Sequence, residues 1–138
     1  MEAAVALIRK IEVEFAGVPR PMVTLRVARA FDDEWIVSKE RGLELREQDP
    51  ETDWREVSSE SIRSYQEYFT FSGDDAGWLF YLPAFMCDHL RALPGIYGWY
   101  AAYHACTELK PGLRLTDGQL ACIIEFMTLS EHHDPRVW

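Results

Sequence analysis

The chain has no long hydrophobic run: its most apolar stretch, WLFYLPAFMC at residues 78–87, is only ten residues long. A membrane-spanning helix needs about 20 apolar residues, so this stretch is too short to cross a bilayer. The amino terminus places Glu2 ahead of any basic residue and carries further charges at positions 9, 10, 12 and 14, unlike a secretory signal peptide. We therefore expect no membrane association and a cytoplasmic location.

Cysteine is scarce, and no pair of cysteines has the spacing of a metal or redox motif. Cys87, Cys106 and Cys122 are each surrounded by apolar or small residues. An odd number of cysteines in a chain without an export signal indicates reduced thiols rather than a disulfide framework. We predict that all three are buried in the core.

Recognisable catalytic motifs are also missing, since the chain contains no GxSxG elbow, no Gly-rich phosphate loop and no HExxH pair. His104 and Glu108 are four residues apart, but a zinc site needs three or four ligands. Cys106 is two residues from His104, and side chains at that spacing on a helix point in different directions. The sequence thus predicts no metal and no cofactor, and it favours a non-enzymatic protein over an enzyme.

What the chain does contain is enough apolar material for one core. It has 138 residues, of which 48% are hydrophobic and 13% aromatic. Chains of this length and composition usually form one globular domain. We therefore predict a single helical domain spanning residues 1–138.

The first part of the chain has the pattern of two helices followed by a loop. Apolar residues recur at steps of three and four over residues 3–15, the periodicity of an amphipathic helix. The same spacing predicts a second helix from about Val23, with Phe31 on its apolar face, running into the acidic cluster at 32–34. Residues 40–56 have few apolar side chains, and we predict that they form mostly loop, with at most a short helical turn.

Capping signals mark two later helices. Ser58 is suited to cap a helix flanked by Val57 and Ile62, and Thr116 with Gln119 has the pattern of a capping box. The core face of the last helix is predicted to consist of Leu120, Ile123, Ile124 and Met127.

Pro83 interrupts the apolar stretch at 78–87. Because proline lacks an amide hydrogen and clashes with the preceding turn, it either opens a helix at residue 84 or kinks a longer helix that begins near Asp75. A further helix is predicted over residues 96–109. The predicted fold class is therefore all-α, a single compact domain of about five to six helices with a kinked or two-part central helix around Pro83.

Acidic residues are concentrated in one segment. The net charge is -9, and residues 32–60 contain eleven Asp and Glu but only four Lys and Arg. A negative surface repels nucleic acid and attracts basic proteins. Alternatively, the charge only keeps the surface solvated. The candidate partner-binding residues are Asp32, Asp33, Glu34, Glu44, Glu47, Asp49, Glu51 and Asp53.

A second hypothesis is a small-molecule-binding protein or enzyme with a pocket beside Pro83. The predicted helices on either side of residues 94 and 95 carry aromatic and histidine side chains that such a pocket would use. Its candidate residues are Tyr81, Pro83, His89, Tyr100 and His104.

Residues 80–85, with the sequence FYLPAF, follow an Asp-rich turn and precede the Thr116 and Gln119 capping pattern. In these features the chain resembles a family of small bacterial proteins that share a YLPA(F/Y) segment, over about the last two-thirds of its length. That family has no assigned activity. The resemblance therefore implies a bacterial, intracellular, mainly helical domain and transfers no active site.

These observations favour a non-enzymatic intracellular domain that binds a basic protein through its acidic segment. Immunity and antitoxin proteins, which mask basic toxins, are the most specific form of this hypothesis. The sequence is compatible with both a monomer and a homo-oligomer.

Overall fold

The structure, a computed structural model, describes residues 2–34, 36–66, 75–93, 101–109 and 112–133. All regular secondary structure in these ranges is helical. The all-α fold class is therefore confirmed, with slightly more helices than the five to six predicted. The described ranges contain a short 3₁₀ helix (Trp54–Glu56) and seven α-helices: α1 (Glu2–Glu14), α2 (Leu25–Asp33), α3 (Lys39–Glu47), α4 (Ser59–Tyr65), α5 (Asp75–Ala92), α6 (Ala101–Thr107) and α7 (Asp117–His133).

The chain divides into two compact units. We call Gly17–Tyr81 the central unit, and Met1–Ala16 together with Leu82–Trp138 the terminal unit. Helix α5 begins in the central unit and ends in the terminal unit. The single domain predicted for residues 1–138 stays a prediction.

In the terminal unit, α1 packs against α7. The apolar face predicted for the first helix is confirmed, because Leu7, Ile11 and Phe15 are fully buried. At the end of α1, the Gln119 side-chain amide donates a hydrogen bond to the Glu14 carbonyl oxygen at 3.0 Å. Polar and apolar contacts together fix the two helices against each other.

The start of α7 was predicted correctly, and its buried face was predicted in part, since Ile123 is buried as expected. Thr116 Oγ1 accepts a hydrogen bond from the Gln119 backbone N–H, and Gln119 Oε1 accepts one from the Thr116 N–H, each at 3.0 Å. Leu120 and Ile124 are exposed rather than buried. The buried side chains, which also follow a spacing of three and four, are Gln119, Cys122, Ile123, Phe126 and Ser130.

In the central unit, α2 ends at Asp33. The prediction that Phe31 lies on its packed face is wrong, because Phe31 is 54% exposed. The helix buries smaller side chains instead, which leaves the bulky ring in its last turn facing solvent. The buried residues of α2 are Leu25, Val27, Ala28 and Ala30.

Helix α3 corrects the prediction that residues 40–56 are mostly loop. It has no buried residue, so it carries no hydrophobic pattern that would have revealed it. Ser38 caps it by accepting a hydrogen bond from the Arg41 N–H at 3.1 Å. Arg41 also binds both carboxylate oxygens of Glu34, and Arg46 donates to the Pro21 carbonyl oxygen at 3.2 Å. Caps and arginine contacts therefore hold this helix in place.

The later helices match the predictions in part. Ser58 caps α4 by accepting a hydrogen bond from the Ser61 N–H at 3.1 Å, as predicted. Pro83 lies inside α5, which begins at Asp75. Of the two alternatives predicted for Pro83, the longer helix is therefore the correct one. The helix predicted over 96–109 corresponds to α6, although residues 94–100 lie outside the described part. Among the described helices, none combines the length and apolar character needed to cross a membrane.

Candidate functional site

Helix α3 presents two different faces, since residues spaced by three or four positions share one face of a helix. One face carries Arg41 and Leu45, which line a cleft in the central unit together with Gln48, the residue that follows the helix. The other, which we call the acidic face, is exposed to solvent along its whole length. It consists of Glu40, Leu43, Glu44 and Glu47.

Exposed apolar side chains accompany the acidic residues. Leu43 is 43% exposed at the centre of the acidic face, and Ile36 is exposed just before α3 begins. Phe31 lines a surface recess of about 240 Å³ together with the acidic residues Asp32, Asp33 and Glu34. Apolar side chains surrounded by charged groups are typical of protein-binding surfaces.

Apart from Asp49, which pairs with Arg26, three of the predicted contact acids form ion pairs with arginines, namely Asp33 with Arg29, Glu34 with Arg41 and Asp53 with Arg55. Hydrogen bonds from Arg41 lower the pKa of Glu34, and those from Arg55 lower the pKa of Asp53. Glu34 and Asp53 therefore stay ionised, and a neighbouring arginine balances the charge of each of the three acids. They are therefore less available to a basic partner than the glutamates of the acidic face.

Asp49 requires a correction, because it is only 3% exposed and does not belong to a contact surface. The Arg26 guanidinium binds one carboxylate oxygen, and the Arg26 backbone N–H donates to the other at 3.0 Å. Arg20 donates to the Asp49 carbonyl oxygen at 2.7 Å. Asp49 thus connects the start of α2 to the segment that follows α3. Of the remaining candidates, Glu51 is half-buried.

The cleft in the central unit has a volume of about 310 Å³ and takes its walls from α2, α3 and α4. Its charged and aromatic lining consists of Arg26, Arg29, Asp33, Glu34, Arg41 and Tyr65. The guanidinium carbons of Arg26 and Arg29 lie 5.2 Å and 5.7 Å from the centre of the Tyr65 ring. Distances of this size are typical of cation–π contacts. No sequence pattern marks this cleft, because its residues come from three helices and form no motif.

The predicted pocket beside Pro83 draws on residues in both units. Tyr81 lies in the central unit, where its hydroxyl accepts a hydrogen bond from the Leu25 N–H at 3.2 Å. Burial raises the pKa of Tyr81, so it stays a neutral phenol. Pro83 is buried in the terminal unit.

The two histidines of that hypothesis have different surroundings in the terminal unit. The His89 ring is buried and meets Phe126 edge to face at 5.1 Å. His104 is exposed, and its ring lies edge to face with Tyr103 at 6.1 Å. Tyr100 lies outside the described residues. The pocket beside Pro83 stays a prediction.

The three cysteines are buried and free, as predicted. Burial raises the pKa of Cys87 and of Cys106 to about 12, which keeps both as protonated thiols near neutral pH. Within the described ranges, no three His, Cys, Asp or Glu side chains are grouped so that they would hold a metal ion.

The described residues thus define a helical protein with an exposed acidic helix face and an arginine-lined cleft. The chain belongs to the family of unknown function DUF6714, whose model matches residues 3–137. This match includes the amino-terminal third, which the resemblance noted from the sequence does not cover. Comparisons with curated proteins and with solved structures find no match. Membership of this family therefore assigns no activity to the acidic face or to the cleft.

Proposed function

We propose that the protein binds a basic partner protein through the acidic face of α3. The observation that carries this proposal is that α3 has no buried residue. An isolated helix of nine residues is only marginally stable in water, yet caps and arginine contacts hold this one in place on the central unit. Its exposed face is therefore free to serve a partner rather than the core.

The composition of the acidic face supports the same proposal. Leu43 has Glu40 almost one turn before it and Glu47 about one turn after it, with Glu44 beside it. An apolar centre within a charged rim is the usual anatomy of a transient protein interface. The surplus of acids in residues 32–60 attracts a basic partner over a distance and speeds its encounter at low salt.

The most specific form of the proposal is a bacterial, cytoplasmic protein that masks a basic toxin, as immunity and antitoxin proteins do. The charge of the chain and its resemblance to a bacterial family support this form. In it, the protein has no catalytic activity of its own and acts by covering a cationic surface.

The proposal is tested by neutralising the acidic face without changing its shape. The variant Glu40→Gln, Glu44→Gln, Glu47→Gln removes three charges from that face. A control variant changes the net charge by the same amount at exposed positions of the terminal unit: Glu2→Gln, Glu108→Gln and Asp117→Asn. Circular dichroism of both variants verifies that the helices are retained.

Each protein is used to capture partners from a lysate of the organism that encodes it, at low and moderate salt. We expect the wild type and the control to enrich the same basic protein. The acidic-face variant should bind it at least tenfold more slowly at low salt, because steering by the charges is lost. Equal capture by all three proteins, or enrichment of an acidic protein, would contradict the proposal.

A further inference from the structure

Independently of the acidic face, we propose that the arginine-lined cleft of the central unit binds a small molecule through an oxyanion, that is, a carboxylate or a phosphate group. Arg26 and Arg29 from α2 and Arg41 from α3 line this cleft. A planar guanidinium offers paired N–H donors that match the oxygens of such a group. Three of them converge on one cavity in a chain whose net charge is -9.

Two of these arginines keep donor capacity after their contacts within the protein. Arg26 uses Nη1 for the Gln48 carbonyl oxygen and for Asp49. Arg41 uses Nε and Nη2 for Glu34. In the part of the chain that the structure describes, no acceptor contacts Nε or Nη2 of Arg26, or Nη1 of Arg41. Both side chains line the same cleft, and their remaining N–H groups are suited to bind an added oxyanion.

The arginines are also held in position before any ligand arrives. Arg26 is bound by the buried carboxylate of Asp49, and Arg41 by two oxygens of Glu34. The Tyr65 ring lies within 6 Å of two guanidinium carbons and limits their movement. Binding to such fixed side chains loses little rotamer entropy, which favours affinity.

Hydrogen-bond donors and size narrow the class of ligand. Each of the three guanidinium groups has a carboxylate partner, Asp49 for Arg26, Asp33 for Arg29 and Glu34 for Arg41, so the cleft offers N–H donors rather than an excess of positive charge. A volume of about 310 Å³ is at the lower end of the range for small-molecule pockets. The cleft therefore fits a small anion better than a segment of a macromolecule.

The test uses acetate and inorganic phosphate as probes, with chloride at matched ionic strength as the reference. Binding is followed by the NMR signals of the arginine Nε–H groups in the wild type and two variants. Arg29→Gln removes a half-exposed guanidinium, which pairs with the half-exposed Asp33. Arg63→Gln, which is exposed on α4 and does not line the cleft, makes the same change in charge.

We expect at least one probe to give saturable shifts of the Arg29 and Arg41 signals in the wild type and in Arg63→Gln. Saturation by acetate alone identifies a carboxylate site, and saturation by phosphate alone a phosphate site. In Arg29→Gln the affinity should fall at least tenfold. Shifts that chloride reproduces, that do not saturate, or that are the same in both variants would overturn the proposal. Arg29 is not part of the acidic face, so this result is independent of partner binding.

Discussion

The strongest prediction about stability concerns the Arg26–Asp49 ion pair. Replacing Arg26 with Gln removes the guanidinium that binds the Asp49 carboxylate, which is only 3% exposed. From residue 26, the carboxylate then keeps only the hydrogen bond from the backbone N–H. Removing one member of a buried ion pair costs about 3–5 kcal/mol. Because the Arg26 side chain is 30% exposed, water reaches the carboxylate more easily once the guanidinium is gone. We therefore expect Arg26→Gln to lower the free energy of unfolding by about 2–3 kcal/mol.

Urea denaturation of a double-mutant cycle measures this pair directly. The cycle combines Arg26→Gln with Asp49→Asn, and we expect a coupling energy of at least about 1.5 kcal/mol. The matched control is the exposed pair of Lys10 and Glu125, whose charged atoms are 3.2 Å apart. Exposed pairs of this kind contribute about 0.2–1 kcal/mol, so its coupling should be smaller. Equal coupling in the two cycles would refute the structural role assigned to Asp49.

Two further predictions concern the terminal unit. The three atoms nearest to a Cβ added at Gly118 belong to the carboxylate end of Glu14, which can move aside, so Gly118→Ala should raise the free energy of unfolding by about 0.5–1 kcal/mol in thermal denaturation. A fall in Tm would show that the Glu14 side chain is held in place. At pH 8 the Cys87 and Cys106 thiols, with pKa values of about 12, should react with iodoacetamide only as fast as the protein unfolds. Rapid alkylation of the folded protein would contradict their burial.

Features that depend on neighbouring residues could be predicted from the sequence. The caps at Ser58 and Thr116 need only a side-chain oxygen and a backbone N–H three residues later. The buried face of α1 follows from apolar residues spaced by three and four positions, with charged residues between them. In each case the physical cause lies within one or two helical turns.

Features that depend on distant residues could not be predicted in this way. Helix α3 is held by contacts from Arg41 to Glu34 and from Arg46 to Pro21, and it contributes no buried side chain that would produce a pattern. Helix α7 carries apolar residues on several sides, so its neighbours decide which side packs. Ile124 is exposed for this reason.

The candidate sites show the same difference between features set by neighbouring residues and features set by distant ones. Charge alone indicated the acidic segment, but it did not distinguish the exposed Glu44 and Glu47 from the buried Asp49. The partner of Asp49 is Arg26, which lies on another helix. The cleft depends entirely on such long-range contacts, because Tyr65 and its arginines meet only after the central unit has folded.

The most direct test of partner binding is photo-crosslinking from the acidic face itself. A photoreactive amino acid replaces Leu43 on α3 in one protein and Ile124, an exposed apolar residue of α7, in a control protein. Both proteins are irradiated in lysate, with and without the three neutralised glutamates of the acidic face. Partner binding through α3 predicts a crosslink to one basic protein from position 43, lost on neutralisation and absent from position 124. Equal crosslinking from both positions, or a crosslink that survives neutralisation, would contradict it.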